Sequence, residues 1–249
     1  MNILLNNYTD LGEITYSSVL IPSSAAKAPL ESAPTYWVTT TTAYSKVITG
    51  TCTIGEDMDA PIDSFMIKLL NPPVGTVKLT LYGPSSILHT DTIDMTDGWN
   101  IFTLPELPVV SVSWGLEFIS LAGPFYIAMS RVLGGTQWRP NRGATSNMGI
   151  ALLASANTER YRSGGSYKPP VKKYKELSLS YEELDHSSLF ALQDLIANSG
   201  SNNTVFAYGL TGTTAEELTK VYGRIKELSK PVKGVSGNYS INVIIEECL

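Results

Sequence analysis

The chain has 249 residues, of which 43% are hydrophobic and 16% charged, with a formal net charge of −5. Together with a mean hydropathy of +0.03, this excludes an intrinsically disordered chain, which cannot bury enough apolar surface to offset its ordering entropy. No apolar run approaches the roughly 20 residues that a membrane-spanning helix needs.

The charge is unevenly placed. Residues 1–130 carry 4 basic and 12 acidic residues (4 − 12 = −8), and residues 131–249 carry 14 and 11 (14 − 11 = +3). The excess concentrates in 131–175, where nine Lys or Arg face the single acid Glu159 (9 − 1 = +8). Such a shift predicts a domain boundary near residue 130.

The N-terminal MNILLNNYTDLGE has neither a basic leader nor a long apolar stretch, so no signal peptide is expected. Tyr16 to Trp37 is rich in Ser, Ala and Pro and reads as irregular chain or short edge strands. The segment YWVTTTTAYSKVITGTCTIG has the β-branched density of strands. From Pro61 the alternation sharpens. Phe65, Ile67 and Leu69 share one face of SFMIKLL, and Val77, Leu79 and Leu81 one face of TVKLTLYG, with Pro72, Pro73 and Gly75 as the turn. ILHTDTIDM runs to an Asp97-Gly98 reversal before WNIFTL. SVSWGLEFISL and PFYIAMSRVL follow, the latter alternating Phe125, Ile127 and Met129 against Tyr126, Ala128 and Ser130. Short strands at this spacing, without helices between them, predict a two-sheet antiparallel sandwich.

Residues 138–173 form a basic, partly irregular connecting arm, in which GIALLA is a candidate short strand and SGGSYKPP an exposed turn-rich tip. The last third then reads strand, helix, strand, strand, strand. Leu177, Leu179 and Tyr181 alternate with Glu176, Ser178 and Ser180. Ser180 and Glu183 have capping-box spacing, which predicts a helix over about 182–198. Leu184, Leu192, Leu195 and Ile196 make its apolar stripe and Gly200 closes it. TVFAY, the run to VYGRI, and SINVIIEE supply the later strands.

Side chains suited to catalysis are sparse. His89 and His186 have no nucleophile or acid at a readable base spacing, and two Cys with two His at scattered positions make no zinc pattern. Cys52 and Cys248 are either one disulfide or two free thiols; a reducing compartment favours thiols. Glu56, Asp57, Asp59 and Asp63 could ligate calcium, but they lack the glycine and terminal glutamate of an EF-hand and read as a solvated acidic loop, as do Asp91, Asp94 and Asp97. No pair of carboxylates is singled out for glycoside hydrolysis, and no phosphate-binding glycine loop occurs. The sequons at Asn7, Asn202 and Asn238 carry no weight without secretion. Neither an enzyme nor a cofactor is expected. Among the aromatics, Trp99, just after the Asp97-Gly98 turn, is the best candidate for an exposed glycan contact. The cations interleaved with Trp138, Tyr161, Tyr167 and Tyr174 could meet single-stranded nucleic acid. The preferred reading is an arm that meets an acidic neighbouring subunit through Arg160, Arg162, Lys168, Lys172 and Lys173.

Two stretches carry resemblances. KELSLSY, SLFALQDLIANSG, NTVFAYG, KVYGRIKEL and NYSINVIIEE, over about 174–249, resemble the closing domain of many bacteriophage tail proteins. Trp37, Tyr82-Gly83 and Leu133-Gly134-Gly135, over about 1–137, resemble the galactose-binding-like, discoidin-type jelly roll. In tandem they resemble a phage virion protein of the distal-tail or tail-tip hub type. The resemblance implies a mainly β chain: an N-terminal antiparallel jelly-roll sandwich at 1–137, the arm at 138–173, and a tail-type β domain with one α-helix at 174–249. It further implies a homo-oligomer, a six-fold ring that matches a tail tube, bound to tube, tape-measure and hub or fibre proteins. DNA would only pass through its channel, and the chain would reside in the virion. The alternative is a carbohydrate-binding module that attaches the particle to a host-surface glycan.

Overall fold

A computed structural model describes residues 2–7, 14–16, 37–38, 44–51, 53–54, 58–102, 104, 109–111, 113–140, 149–155, 159–160, 166–167, 172–198, 204–208 and 220–247. The fold is mainly β with antiparallel pairing. It divides into two compact units, Asn6–Gln137 and the combination of Met1–Leu5 with Trp138–Leu249.

The chain opens with β1 (Asn2–Asn7) and then builds the sandwich unit. Its strands are β2 (Ile14–Tyr16), β3 (Trp37–Val38), β4 (Ser45–Thr51), β5 (Thr53–Ile54), β6 (Met58–Ile62), β7 (Ser64–Leu70), β8 (Gly75–Tyr82), β9 (Ile87–Asp94), β10 (Gly98–Phe102), β11 (Val109–Ser111), β12 (Ser113–Ser120) and β13 (Ala128–Trp138). One sheet runs β2-β4-β12-β8-β9; another contains β10-β7-β13, with β3 also on β13; β11-β6-β5 forms a small third. A single core cluster draws Phe65, Ile67, Leu69 and Val132 from one large sheet and Ile48, Val77, Leu79, Leu81, Trp114, Leu116 and Phe118 from the other. Two inner faces sharing one core make a β-sandwich. The alternation of Phe125, Ile127 and Met129 is present as read: these three are buried and Tyr126 is exposed.

Trp114 is the centre of this core. It is fully buried, its ring lies 5.6 Å from that of Phe65, and β4 places Gly50 directly opposite it. A Cβ on Gly50 would stand 2.3 Å from the indole. The glycine is there because the ring occupies the space a side chain would take.

The second unit contains the start of β1, β14 (Gly149–Ser155), β15 (Glu159–Arg160), β16 (Ser166–Tyr167), β17 (Lys172–Leu184), α1 (His186–Asn198), β18 (Thr204–Tyr208), β19 (Val221–Leu228), β20 (Val232–Lys233) and β21 (Tyr239–Glu247). Its sheet follows the order β1-β18-β19-β21-β17-β14, with β20 also on β21. Leu177, Leu179, Tyr181, Val243 and Ile245 line one face and share a core cluster with Leu189 and Leu192 of α1. Trp138 packs its ring 4.8 Å from Tyr181 and donates its indole N–H to the Ser188 carbonyl at 2.9 Å, tying the first turn of the helix to the sheet.

Two local expectations differ from what is found. The first residues do not belong only with the sandwich: Asn2, Ile3 and Leu4 pair with Tyr208, Ala207 and Phe206. Strands consecutive in sequence neighbour each other in most cases, and this long-range pairing belongs to the minority. The helix begins at His186, and Ser180 and Glu183 lie in β17. The cap is Asp185, whose carboxylate accepts the Ser188 N–H at 2.7 Å. Aspartate is among the strongest N-cap residues, and at this position it satisfies a free helical donor. The short strand expected at GIALLA is present as β14, which pairs with β17 over seven rungs from Gly149–Ser178 to Ser155–Lys172.

Candidate functional site

The basic arm is built on β14 and β17. β17 runs for 13 residues, and β21 pairs with it only from Glu176 to Leu184. At 172–175 its partner among the described residues is β14 alone, and there the two strands form a two-stranded ribbon. In a separate two-stranded sheet, Glu159 and Arg160 pair with Tyr167 and Ser166. The alternation that fixes the root of the ribbon buries Leu177 and Leu179. Beyond it the same face carries Leu152, opposite Lys175, and Leu152 is 68% exposed.

Charge is graded along this structure. At the root, Arg224, Glu246 and Glu176 occupy successive strands in one row. Lys226 Nζ lies 2.5 Å from Glu176 Oε2 and 4.0 Å from Glu246 Oε2. The hydrogen bond to Glu176 holds the Lys226 ammonium above its ordinary pKa. The backbone N–H of Lys175 donates to Glu247 Oε2 at 2.8 Å. Acids and bases balance here, whereas 152–155 and 172–175 carry Lys172, Lys173 and Lys175 and no acid.

Of the residues assigned to a subunit contact, Lys172 and Lys173 open β17 opposite Ser155 and Ala154, and Arg160 sits in β15. Arg162 and Lys168 lie outside the described residues, as do Cys52, Cys248, Glu56, Asp57 and Gly200. Lys172 and Lys173 thus share one strand, and Arg160 lies in a separate sheet.

Trp99 is a correction. It is only 6% exposed, with the Lys68 ammonium 5.7 Å from its ring centroid. The Asp97-Gly98 turn is where expected, but β10 pairs with β7 and sets Trp99 against Lys68. Met66 and Leu133, on the same face, are buried as well. An aromatic ring covered in this way offers no face to a sugar. Asp63 is also corrected: it is 9% exposed, and its carboxylate accepts the Gln137 N–H at 2.9 Å. It is a buried acceptor joining β13 to the start of β7, and no member of a solvated loop.

The sequence reading missed Leu152 and the outer side of β14, which has no strand beside it among the described residues. The signal was the uncharged run GIALLAS, read only as a short strand. Among the described residues, no group of three or more His, Cys, Asp or Glu is placed to hold a metal ion, and no helix is long and apolar enough to cross a membrane. His186 stacks edge-on to Phe190, ring centroids 4.3 Å apart.

No protein-family model matches the sequence, and no curated protein matches it. Among solved structures, the chain is similar to a GH29 fucosidase of Ruminococcus gnavus in complex with fucose, with a TM-score of 0.42 and 10% identity. That likeness covers 53% of this chain and 26% of the fucosidase. It is also similar to the family 32 CBM of C. perfringens NanJ in complex with galactose, with the same TM-score and identity, over 53% of this chain and 98% of that one. At that level neither likeness decides fold or ligand, and the sandwich rests on its own sheets and core.

Proposed function

We propose that the chain is a structural subunit of a bacteriophage tail, of the distal-tail or tail-tip hub type, which acts by assembling copies into a ring. The observation that supports this best is the unit formed by β17, α1, β18, β19 and β21, whose spans are those on which the tail-protein resemblance rests. A basic ribbon leaves that unit beyond its wider sheet. The chain's own residues 1–130 carry a net −8, which gives the ribbon an acidic surface to meet on a neighbouring copy or another tail protein. The work of such a subunit is shape and charge complementarity around a closed rotation, with no bond made or broken. Six copies would match a six-fold tube, and the tube, tape-measure and hub or fibre proteins would be its partners in the virion.

Native mass spectrometry and negative-stain microscopy of the full chain test the reading. Rings of defined copy number are expected, and a monomer at every accessible concentration would overturn it. Reversing Arg160, Lys172 and Lys173 to Glu should weaken assembly, more so at low salt, where screening is least. Normal particle yield from that variant would reduce the ribbon to a solvated loop. Turnover of a polysaccharide, abolished by one carboxylate substitution, would replace the whole reading with an enzyme.

A second reading concerns the sandwich unit. Tyr44 and Tyr126 are 66% and 52% exposed. The Tyr44 carbonyl accepts the Ser120 N–H at 3.1 Å, which sets it beside the turn leading to Tyr126. Exposed tyrosines at one end of a sandwich suit stacking on a sugar ring, and this supports attachment to a host-surface glycan. Glycan-array binding lost in Tyr44→Ala and Tyr126→Ala is the expected result; no binding by the intact chain would remove it.

A further inference from the structure

A sheet edge displays unpaired backbone N–H and C=O groups, and folded chains protect such edges with charge, proline or bulges. The edge strand β9 is protected in this way. It carries Asp91 and Asp94, and its pairing with β8 shifts register between Leu81 and Tyr82. The edge strand β14 is not. It reads GIALLAS, with no charge and no proline, and its register with β17 is regular throughout. β14 ends the strand order, so among the described residues its outer side has no strand beside it. Leu152, at its middle, is 68% exposed. A regular, uncharged, apolar edge is a template for strand addition.

We infer that β14 pairs with β14 of a second copy, antiparallel, about a two-fold axis beside Leu152. The sequence is self-complementary about that residue. Leu152 would face itself, Ala151 would face Leu153, and Ile150 would face Ala154, so the flanking rungs each join a large residue to a small one. Gly149 and Ser155 close the ends. Directly opposed residues share a face of the sheet. Leu152 of both copies therefore meets on the face where Ile150 already packs against the core cluster. Lys175 and Glu176 pair with Leu152 and Ala151 in each copy. Charge thus lies one strand out from the new contact, and no like charges stand opposite each other across it. The contact is isologous and closes on itself. It rests on the assembly reading only in requiring that copies of the chain associate, and it would join copies that the basic ribbon does not.

Cross-linking of the full chain, with Cys52→Ser and Cys248→Ser, tests the register. Opposed residues in an antiparallel pair have Cα atoms about 4.5–5.5 Å apart, within disulfide range. Leu152→Cys should give a disulfide-linked dimer under mild oxidation, at least tenfold more than Gly149→Cys, whose counterpart is displaced by several residues. Leu152→Lys would set like charges face to face and should weaken the contact at least tenfold by mass photometry. Its circular dichroism should be unchanged, since the side chain is exposed in the single copy. If Leu152→Cys links no better than Gly149→Cys, or Leu152→Lys associates as the parent does, the edge is not this interface. In either case a parent that still forms oligomers keeps the assembly reading. A parent that is always monomeric ends both.

Discussion

The two units solve the same burial problem differently. The sandwich unit closes two sheets over one core, which takes apolar residues from the inner face of each. The helix-bearing unit covers one face of its sheet with α1 and then lets β14 and β17 run past that cover. The first unit also carries acids on its β9 edge, while the second leaves β14 uncharged. A sheet closed by a second sheet stabilises itself. A sheet that outruns its helix leaves apolar residues and backbone groups suited to a neighbour. The contrast predicts that substitutions in the two cores act on different units.

The largest expected effect comes from opening the closed core. Trp114→Ala should cost about 3–5 kcal/mol, since it removes a fully buried ring and leaves a cavity. Urea unfolding should show the loss. Hydrogen exchange should place it in β4, β8 and β12, while the amides of Leu177 and Leu179 keep their protection. Equal loss in both units would show that they unfold as one, and the contrast would fail. Gly50→Ala attacks the same place from the other side. A Cβ 2.3 Å from the indole must displace the ring, at about 1–3 kcal/mol.

In the second unit the corresponding lever is Trp138. Trp138→Phe keeps a ring against Tyr181 but removes the donor to the Ser188 carbonyl. The expected cost is about 1 kcal/mol, read as faster exchange in the first turn of α1. No change there would mean that the helix docks through Leu189 and Leu192 alone.

Much of the fold was legible because most strands bury one face. Phe65, Ile67 and Leu69, or Leu177, Leu179 and Tyr181, announce a strand by alternation, since the covering layer accepts every second side chain. Where the outcome depends on distant chain, the sequence was silent. Asp63 looks like one of four acids in a loop until Gln137, 74 residues away, brings it a donor. Trp99 looks exposed beside its turn until Lys68, Met66 and Leu133 are found on the same face. The pairing of Asn2–Leu4 with β18 spans nearly the whole chain. Ser180 and Glu183 misled for a local reason: their spacing fits a capping box, but alternation carries β17 to Tyr181 and a register shift then continues it to Leu184. Glu183 there takes a positive φ of 56°, which marks the bend before the helix. As for the candidate site, its basic residues were readable from composition. The open edge of β14 was not, because a strand's sequence does not say which of its sides will be paired.

The smallest expected effect separates the cap of α1 from its packing. Asp185 accepts hydrogen bonds from Ser188, and these hold its carboxyl below the ordinary value of 3.8. A carboxyl with a depressed folded pKa contributes its stabilisation above the unfolded value and loses it as pH falls through the folded one. The contribution is therefore complete at neutral pH and fades only below about pH 4. Asp185→Asn retains an N-cap acceptor of similar strength without the charge. At neutral pH the two proteins should differ little, and below pH 4 the aspartate form alone should lose protection at the Ser188 and Leu189 amides. If the asparagine variant loses the same protection over the same range, the acid sensitivity belongs to some other carboxylate.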